Sequence, residues 1–191
     1  MINAVQNISK SLIYEMVDGK PIYYKGYKEY LNGEKQLEEL IGISYLQSLI
    51  ITKLVFLLMS NLSEKYLVLT NEIGLQFQDK GWRAADIAIV EKKKLKHVEK
   101  TNKYLNIPPK VVIEIDTKAE LEEVKDSFGY FHKKTDELLN FGVERVIWIF
   151  TDSEKIMIST QNHDWQILNW SKDIEIIDGL TINLEALLDF E

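Results

Sequence analysis

The stretch VVIEID at 111–116 constrains the fold of this chain more than any other. Its β-branched apolar residues favour an extended strand inside a sheet, where successive side chains alternate between the two faces. The apolar residues at the odd positions share one face, and Glu114 and Asp116 share the other. An ionised carboxylate inside a sheet is costly unless a cation or a hydrogen-bond donor lies beside it. The stretch therefore predicts a buried strand with an acidic face that needs a positively charged partner.

A second carboxylate occurs in an apolar segment upstream. Asp86 stands in ADIAIV at 85–90, within a predicted strand over 82–93. If the two strands are neighbours, Asp86 approaches Glu114, and a divalent cation such as Mg²⁺ relieves the repulsion between their carboxylates. Such an ion also activates water and stabilises charge on a phosphoryl oxygen. The alternative reading is that Asp86 is a turn or capping residue and that Asp116 caps the segment after its strand.

A lysine lies on the apolar face of a helix predicted over 119–141. Lys134 follows Phe131 by three residues and precedes Leu138 by four, so the three side chains share one face. An inward lysine needs a carboxylate or a substrate anion, and it reaches the acidic strand if the helix packs over that strand. A purely structural ion pair between Glu114 and Lys134 is the alternative interpretation.

The remaining pattern predicts a single α/β domain over 1–191, with a mixed sheet flanked by two long helices. An N-terminal extended segment or hairpin is expected at 11–33, because Asp18-Gly19 and Asn32-Gly33 are typical of hairpin turns. The core spans about 35–160, and 161–191 forms an antiparallel C-terminal extension. The predicted core elements are a helix at 35–62, strands at 66–77, 82–93 and 110–116, the helix at 119–141 ended by Gly142, and further strands at about 143–151, 155–160 and 165–170.

Several function classes are excluded or disfavoured by what the sequence contains. It has no cysteine, so a thiolate nucleophile or zinc–thiolate site is impossible. No G-x-G-x-x-G or G-K-[ST] motif occurs, so no nucleotide cofactor is expected through those motifs. The apolar run at 49–59 contains Lys53 and is shorter than a membrane span, which predicts a buried helix. With no signal-like N-terminus, these features predict a cytoplasmic protein without a membrane partner.

The formal net charge of −7 opposes binding to nucleic acid by the molecule as a whole. A DNA-binding role would depend on bound metal ions or on a local basic patch. The stretch EKKKLKHVEKTNK at 91–103 is such a patch, although a solvated loop is the simpler interpretation.

Taken together, Asp86, the EID stretch at 114–116 and Lys134 followed eight residues later by Gly142 resemble a known pattern. The chain is similar to the Uma-two family of restriction-endonuclease-like proteins, in the PD-(D/E)XK nuclease superfamily. YEMVDGK at 14–20 also resembles the N-terminal stretch of that family, and the resemblance covers roughly 14–160.

The resemblance implies a restriction-endonuclease-like fold and hydrolysis of DNA phosphodiester bonds. Asp86, Glu114 and Lys134 would be the catalytic residues. The carboxylates of Asp86 and Glu114 would bind Mg²⁺ or Mn²⁺ with the main-chain carbonyl of Ile115, and Asp116 would be a further acidic ligand. Lys134 would position or activate the attacking water. The superfamily also implies a homodimer, for which the apolar C-terminal hairpin with its tryptophans Trp165 and Trp170 offers a surface.

The sequence departs from the family pattern at three positions. Ala85 replaces the proline before the aspartate, Asp116 replaces a common lysine, and Leu138 replaces a tyrosine. These departures favour the alternative of a catalytically inactive nuclease-fold protein that binds a partner or forms dimers. Glu15, Glu38 and Glu39 are further candidates for an acidic ligand from outside the central strands.

Overall fold

The structure is a computed structural model that describes residues 8–77, 81–121, 127–161 and 165–189. Its centre is a mixed sheet of eight strands in the order β2-β1-β4-β5-β6-β7-β8, with β3 paired to β4 outside this path. The strands are β1 Ile13–Val17, β2 Lys20–Tyr23, β3 Tyr66–Gln76, β4 Trp82–Glu91, β5 Val111–Ile115, β6 Arg145–Phe150, β7 Lys155–Thr160 and β8 Gln166–Asn169. The predicted α/β architecture with a mixed sheet is confirmed.

Five α-helices, two short 3-10 helices at Lys10–Leu12 and Lys92–Leu95, and a second, small sheet complete the regular structure of the described residues. The α-helices are α1 Tyr27–Leu31, α2 Leu37–Ile41, α3 Tyr45–Leu62, α4 Ser127–Phe141 and α5 Leu184–Leu188. The small sheet is an antiparallel pair, β9 Asp173–Ile177 and β10 Leu180–Asn183. The sequence analysis missed this pair.

The order of the central strands follows from their connections. Strands β4 and β5 are antiparallel, with Ile87 opposite Ile113, whereas β5 and β6 are parallel and are joined through α4. A parallel pair needs such a crossover because the chain must return to the end of the sheet where the first strand began, and a tight turn cannot span that distance. Continuing the β4–β5 register by one residue places Asp86 opposite Glu114, as the sequence predicted for neighbouring strands.

The two faces of this sheet are covered by different helices. On one face, α3 packs Ile50, Leu54 and Leu58 against a cluster that includes Ile87 and Ile113. The opposite face packs with α4 in a second apolar cluster, which includes Tyr14, Val112, Tyr130, Leu138, Val146 and Trp148. Alternation along β5 therefore sends Ile113 towards α3 and Glu114 towards α4.

The predicted helix at 35–62 is two helices. Gly42, at φ −63° and ψ 160°, takes an extended conformation after α2. The hydroxyl of Ser44 then accepts a hydrogen bond from the backbone N–H of Gln47 and begins α3. A serine at this position satisfies one of the first N–H groups of a helix, which explains why the chain restarts there.

Helix α3, predicted as a buried helix from the apolar run, is buried along one side only. It buries one stripe and exposes most of the side chains of Tyr45 (77% exposed) and Phe56 (75% exposed) on its other side. With 18 residues it is also longer than the run at 49–59, and among the described residues it is long and apolar enough to cross a membrane. That is weak evidence for a span, because core helices of soluble proteins pass the same test.

Predictions for the terminal regions were partly right. Asp18-Gly19 turns β1 into β2 as expected, but Asn32-Gly33 ends α1 instead of forming a second hairpin turn. Of the helix predicted over 119–141, the structure shows α4 at Ser127–Phe141; residues 119–121 are not helical, and residues 122–126 lie outside the described residues. In the C-terminal extension, Trp170 is buried in the core (8% exposed), so it does not offer the dimer surface that was expected of it.

Candidate active site

Three elements bring the predicted catalytic residues together. The ammonium Nζ of Lys134, on α4, lies 3.0 Å from Oε1 of Glu114, on β5. On β4, Oδ2 of Asp86 accepts a hydrogen bond from the backbone N–H of Ile115 at 2.7 Å. Lys134 and Glu114 are fully buried, and Asp86 is only 7% exposed. The two strands and the helix thus place two carboxylates and one lysine in one buried cluster, named the acidic pocket.

Glu15 on β1 is a second carboxylate partner of the buried lysine. Its Oε1 lies 2.8 Å from Nζ of Lys134, and its Oε2 lies 2.7 Å from Nη1 of Arg83. The hydroxyl of Tyr130 also donates to Oε2 of Glu15, at 2.9 Å. Sequence analysis named Glu15 only as an outside candidate, and the structure places it at the centre of the charged cluster.

Arg83 extends this cluster to the surface of α4. Its Nη2 lies 2.7 Å from Oε2 of Glu137, whose side chain is partly exposed. Sequence analysis missed Arg83 and Tyr130. An arginine inside the apolar strand that carries Asp86 was a usable signal. The position of Tyr130, one helical turn before Lys134, was another.

The ammonium group of Lys134 has ionic contacts but no aligned hydrogen bond. Among the residues that the structure describes, neither Nζ of Lys134 nor Oε1 of Glu114 has a hydrogen-bond partner of good geometry. The aromatic rings of Tyr14 and Trp148 lie on other sides of Nζ, with centroids at 5.7 and 5.3 Å. Aromatic faces attract a cation, so they add to the carboxylates in keeping this ammonium charged.

Burial gives Glu114 the properties of a weak acid. It raises the pKa of Glu114 to about 8, and the charges of Asp86 and Glu15 add to that rise. The ammonium of Lys134 acts in the opposite direction without cancelling the effect of burial. Burial likewise raises the pKa of Asp86 to about 6. The pocket therefore contains more acidic groups than its own cations can keep ionised.

Glu15 has the opposite behaviour in an equally buried position. Burial alone would raise its pKa, but the charges of Lys134 and Arg83 outweigh burial and hold the pKa of Glu15 below its usual value. Although burial disfavours the charged form of Lys134, the carboxylates of Glu114 and Glu15 raise its pKa above the usual value. Lys134 is therefore an ammonium group at neutral pH.

The main-chain carbonyl of Ile115 is already in a hydrogen bond. It accepts the side-chain amide N–H of Gln47, from α3, at 2.7 Å. Gln47 is buried, and the sequence analysis did not single it out. A carbonyl oxygen has two lone pairs, so this contact leaves room for a second one.

Asp116 follows the end of β5, and its carboxylate is directed towards Thr151. It has a left-handed backbone (φ 56°), and its two oxygens accept hydrogen bonds from the backbone N–H and the hydroxyl of Thr151, at 2.8 and 2.7 Å. This arrangement ties the ends of β5 and β6 together. A role for Asp116 as an ion ligand remains a prediction that these contacts do not support.

Other predicted contributors lie outside the pocket. Glu38 and Glu39 are exposed on α2, and Glu39 accepts the backbone N–H of Gln36 in a helix cap. The basic stretch at 91–103 begins at the end of β4, five residues beyond Asp86, which is about 17 Å along an extended strand. The first residues of the basic stretch therefore lie away from Asp86.

Hard oxygen ligands fit the binding preferences of Mg²⁺ and Mn²⁺. Asp86, Glu114 and the carbonyl of Ile115 supply them from adjacent strands. Burial is the main cause of the raised pKa of Glu114, and the charges of Asp86 and Glu15 add to it. Within residues 8–77, 81–121, 127–161 and 165–189, no group of three or more His, Asp or Glu side chains is arranged to hold a metal ion. The residues that would hold such an ion are therefore two carboxylates, Asp86 and Glu114, and the carbonyl of Ile115.

One solved structure is similar to most of this chain. It is a protein from Anabaena variabilis ATCC 29413, described as a candidate nuclease belonging to DUF820, with a TM-score of 0.68 and 16% sequence identity. The similarity covers 91% of this chain and 88% of that one. At this identity it shows a shared fold, and it confirms the nuclease-like α/β fold that the sequence predicted. No protein-family model and no curated protein sequence matches the chain.

Proposed function

We propose that this chain is a metal-dependent nuclease that hydrolyses phosphodiester bonds of DNA, with Asp86, Glu114 and Lys134 as its catalytic residues. The main support is the convergence of these three side chains from β4, β5 and α4 in one buried pocket. The candidate nuclease of the same fold supports the same class of activity.

The proposed ion is Mg²⁺ or Mn²⁺, held by the carboxylates of Asp86 and Glu114 and by the carbonyl of Ile115. When bound, such an ion lowers the pKa of a water molecule and offsets charge on a phosphate oxygen. Burial raises the pKa of Glu114 to about 8 and so makes its ionised form costly at neutral pH. Ion binding is therefore expected to release a proton and to strengthen as the pH rises.

Lys134 acts in this proposal as a fixed cation. Because its pKa is raised, it does not accept a proton at neutral pH and is unsuited to the role of general base. Its ammonium instead holds a phosphate oxygen or the attacking water by charge and hydrogen bonding. Glu15 is a positioning residue, since its contact at 2.8 Å fixes the ammonium beside Glu114.

Hydrolysis would form a bond between a water oxygen and phosphorus while the bond from phosphorus to the leaving oxygen breaks. The leaving oxygen takes up a proton, and the phosphate keeps the new hydroxyl oxygen. Lys134 would offset negative charge that accumulates on the phosphate oxygens during this step. Electrostatic stabilisation of this kind is commonly the largest contribution of an active site to phosphoryl transfer.

A second candidate is a catalytically inactive protein of this fold that binds a partner or forms a dimer. It is favoured by the internal contacts of the proposed ligands, since Glu114 faces Lys134 and the carbonyl of Ile115 accepts Gln47. In this case the charged cluster would be only structural. A homodimer and a cytoplasmic location remain proposals from the family resemblance, to be tested by size-exclusion chromatography with light scattering and by fractionation.

Cleavage of plasmid DNA with Mg²⁺ or Mn²⁺ tests the proposed function. Glu114→Ala and Lys134→Ala are expected to lose at least about a hundredfold in rate, as removal of a principal electrostatic contact does. Lys133→Ala is the matched control, because Lys133 is on the same helix but half exposed. Equal cleavage by wild type, Glu114→Ala and Lys134→Ala would contradict the proposal and favour the inactive alternative.

A further inference from the structure

We infer that Lys118 binds the substrate phosphate at the entrance of the acidic pocket and that Glu72 holds this lysine until the phosphate arrives. This inference rests on the proposed phosphodiester substrate and adds a residue that the sequence analysis did not identify. The chemistry it recognises is one anionic oxygen of a DNA phosphate.

The first observation is a β-bulge opposite Asp86. Strand β3 pairs with β4 through Thr70 opposite Ile87 and then through Ile73 opposite Ala85. Two residues of β3 therefore stand against the single Asp86 of β4. Bulges of this kind redirect side chains and are common beside active sites.

The bulge residues adopt an uncommon backbone conformation. Asn71 and Glu72 both have left-handed φ angles, 70° and 54°, although neither is glycine. Such conformations are retained when the surrounding structure stabilises them. At the bulge, the carboxylate of Glu72 contacts the ammonium of Lys118 and accepts a hydrogen bond from the hydroxyl of Tyr24 at 3.4 Å.

The second observation is the fixed backbone that carries Lys118. Its carbonyl accepts the backbone N–H of Lys25 at 2.7 Å, and the N–H of Glu120 donates to the carbonyl of Tyr23 at 2.8 Å. The side chain then extends to Glu72 and to the carbonyl of Ile41, at 2.9 Å from the latter. The lysine is thus presented from a defined position, with a side chain that is 14% exposed.

The third observation is that Lys118 and Lys134, whose charges both act on Asp86, have different surroundings. Lys134 is enclosed, with 0% of its side chain exposed, and it already lies between two buried carboxylates. Lys118 and Glu72 are both charged neighbours of Asp86, and 27% of the Glu72 side chain is exposed. An incoming phosphate therefore meets the Lys118–Glu72 pair before it reaches Lys134.

A carboxylate and a phosphate oxygen are alternative acceptors for the same ammonium group. In the free protein Glu72 is the acceptor, and in the complex the phosphate replaces it. Glu72 then competes with the substrate, whereas Lys118 attracts it. A purely structural ion pair makes a different prediction, because the loss of either partner removes the same contact and affects the protein in the same direction.

The experiment measures binding of a fluorescent DNA duplex by anisotropy, in EDTA so that no cleavage occurs, over a series of salt concentrations. Lys118→Gln is expected to weaken binding about tenfold, the effect of one charged hydrogen bond. It should also reduce the slope of log affinity against log salt by about 0.9, the value for one phosphate contact. Lys118→Arg should retain the affinity and the slope.

Glu72→Gln is expected to tighten binding several-fold without reducing the salt slope, since the lysine is released from its competitor. Melting temperatures of the variants show whether each is folded. Opposite signs for Lys118→Gln and Glu72→Gln support the inference. Weaker binding by both variants, an unchanged salt slope in Lys118→Gln, or no binding by the wild type overturns it.

Failure of this inference and failure of the proposed nuclease are distinguishable by adding the cleavage assay. If cleavage requires Glu114 and Lys134 but Lys118→Gln binds DNA like the wild type, only the role of Lys118 is lost. If the two binding variants change in opposite directions while no DNA is cleaved, hydrolysis is lost and the phosphate site at Lys118 stands.

Discussion

The two faces of the central sheet are built from alternating residues of the same strands but have different chemistry. On the face covered by α3, Ile87 and Ile113 contribute to a large apolar cluster. On the face covered by α4, the adjacent residues Asp86 and Glu114 enter a cluster with Lys134. The difference shows that one face supplies packing energy, and that this energy allows the other to keep buried charges that cost stability.

The largest effect is expected where a buried charge loses its partner. Lys134→Ala breaks a buried ion pair and leaves Glu15 with Arg83 as its cation, and the loss of one partner of a buried pair typically destabilises a protein by about 3–5 kcal/mol. Unfolding by urea, followed by circular dichroism, measures the change. Lys133→Ala, on the exposed side of α4, should stay within about 0.5 kcal/mol of the wild type. A small effect of Lys134→Ala would mean that the α4 face tolerates unpaired charge.

A pH series in EDTA sharpens the comparison because the two carboxyls with a raised pKa, Glu114 and Asp86, belong to the cluster on the α4 face. Between pH 4.5, the ordinary pKa of the carboxyl, and about 8, the unfolded chain has released the proton of Glu114 while the folded protein retains it. The folded state binds more protons, so the free energy of unfolding falls as the pH rises, by up to about 1.4 kcal/mol per pH unit from this group. The raised pKa of Asp86 lowers the free energy of unfolding in the same direction, up to about pH 6.

The control for this series is Glu114→Gln, which resembles the protonated carboxyl in shape. Its free energy of unfolding should decrease less than that of the wild type between pH 5 and pH 8. Parallel curves for the two proteins would show that Glu114 has an ordinary pKa and that the negative charge of the pocket is balanced.

The smallest of these effects concerns the apolar face. Ile113→Val removes one buried methylene group, for which a loss of about 1 kcal/mol is expected. Because Ile113 points away from the charged cluster, the cleavage rate per folded molecule should not change. Urea unfolding and the plasmid assay measure the two quantities, and a loss of activity without a loss of stability would show that the faces are coupled.

The sequence predicted the strands of the pocket well because alternation along a strand is a local property. VVIEID and ADIAIV are short, continuous stretches, and the position of Lys134 follows from the spacing of its own helix. These patterns identified Asp86, Glu114 and Lys134 before any distance was known. The fold class followed from the order of elements and was confirmed.

Residues that join distant elements were harder to predict. Arg83 contacts Glu15 across 68 positions of the chain, and Gln47 contacts Ile115 across the same number. No local period encodes such pairs. The break between α2 and α3 and the turn of Asp116 towards Thr151 were missed because capping and left-handed conformations depend on contacts formed only in the folded protein.

Gln47 gives the apolar side of the sheet an influence on the acidic side. A helix held only by aliphatic contacts can slide slightly along a sheet, because such contacts have no preferred direction. The amide of Gln47 donates to the carbonyl of Ile115, immediately after Glu114, and so sets the axial position of α3 against the tip of β5. Helix α3 contributes no charge to the pocket, but through Gln47 it helps to fix the position of the backbone beside Glu114.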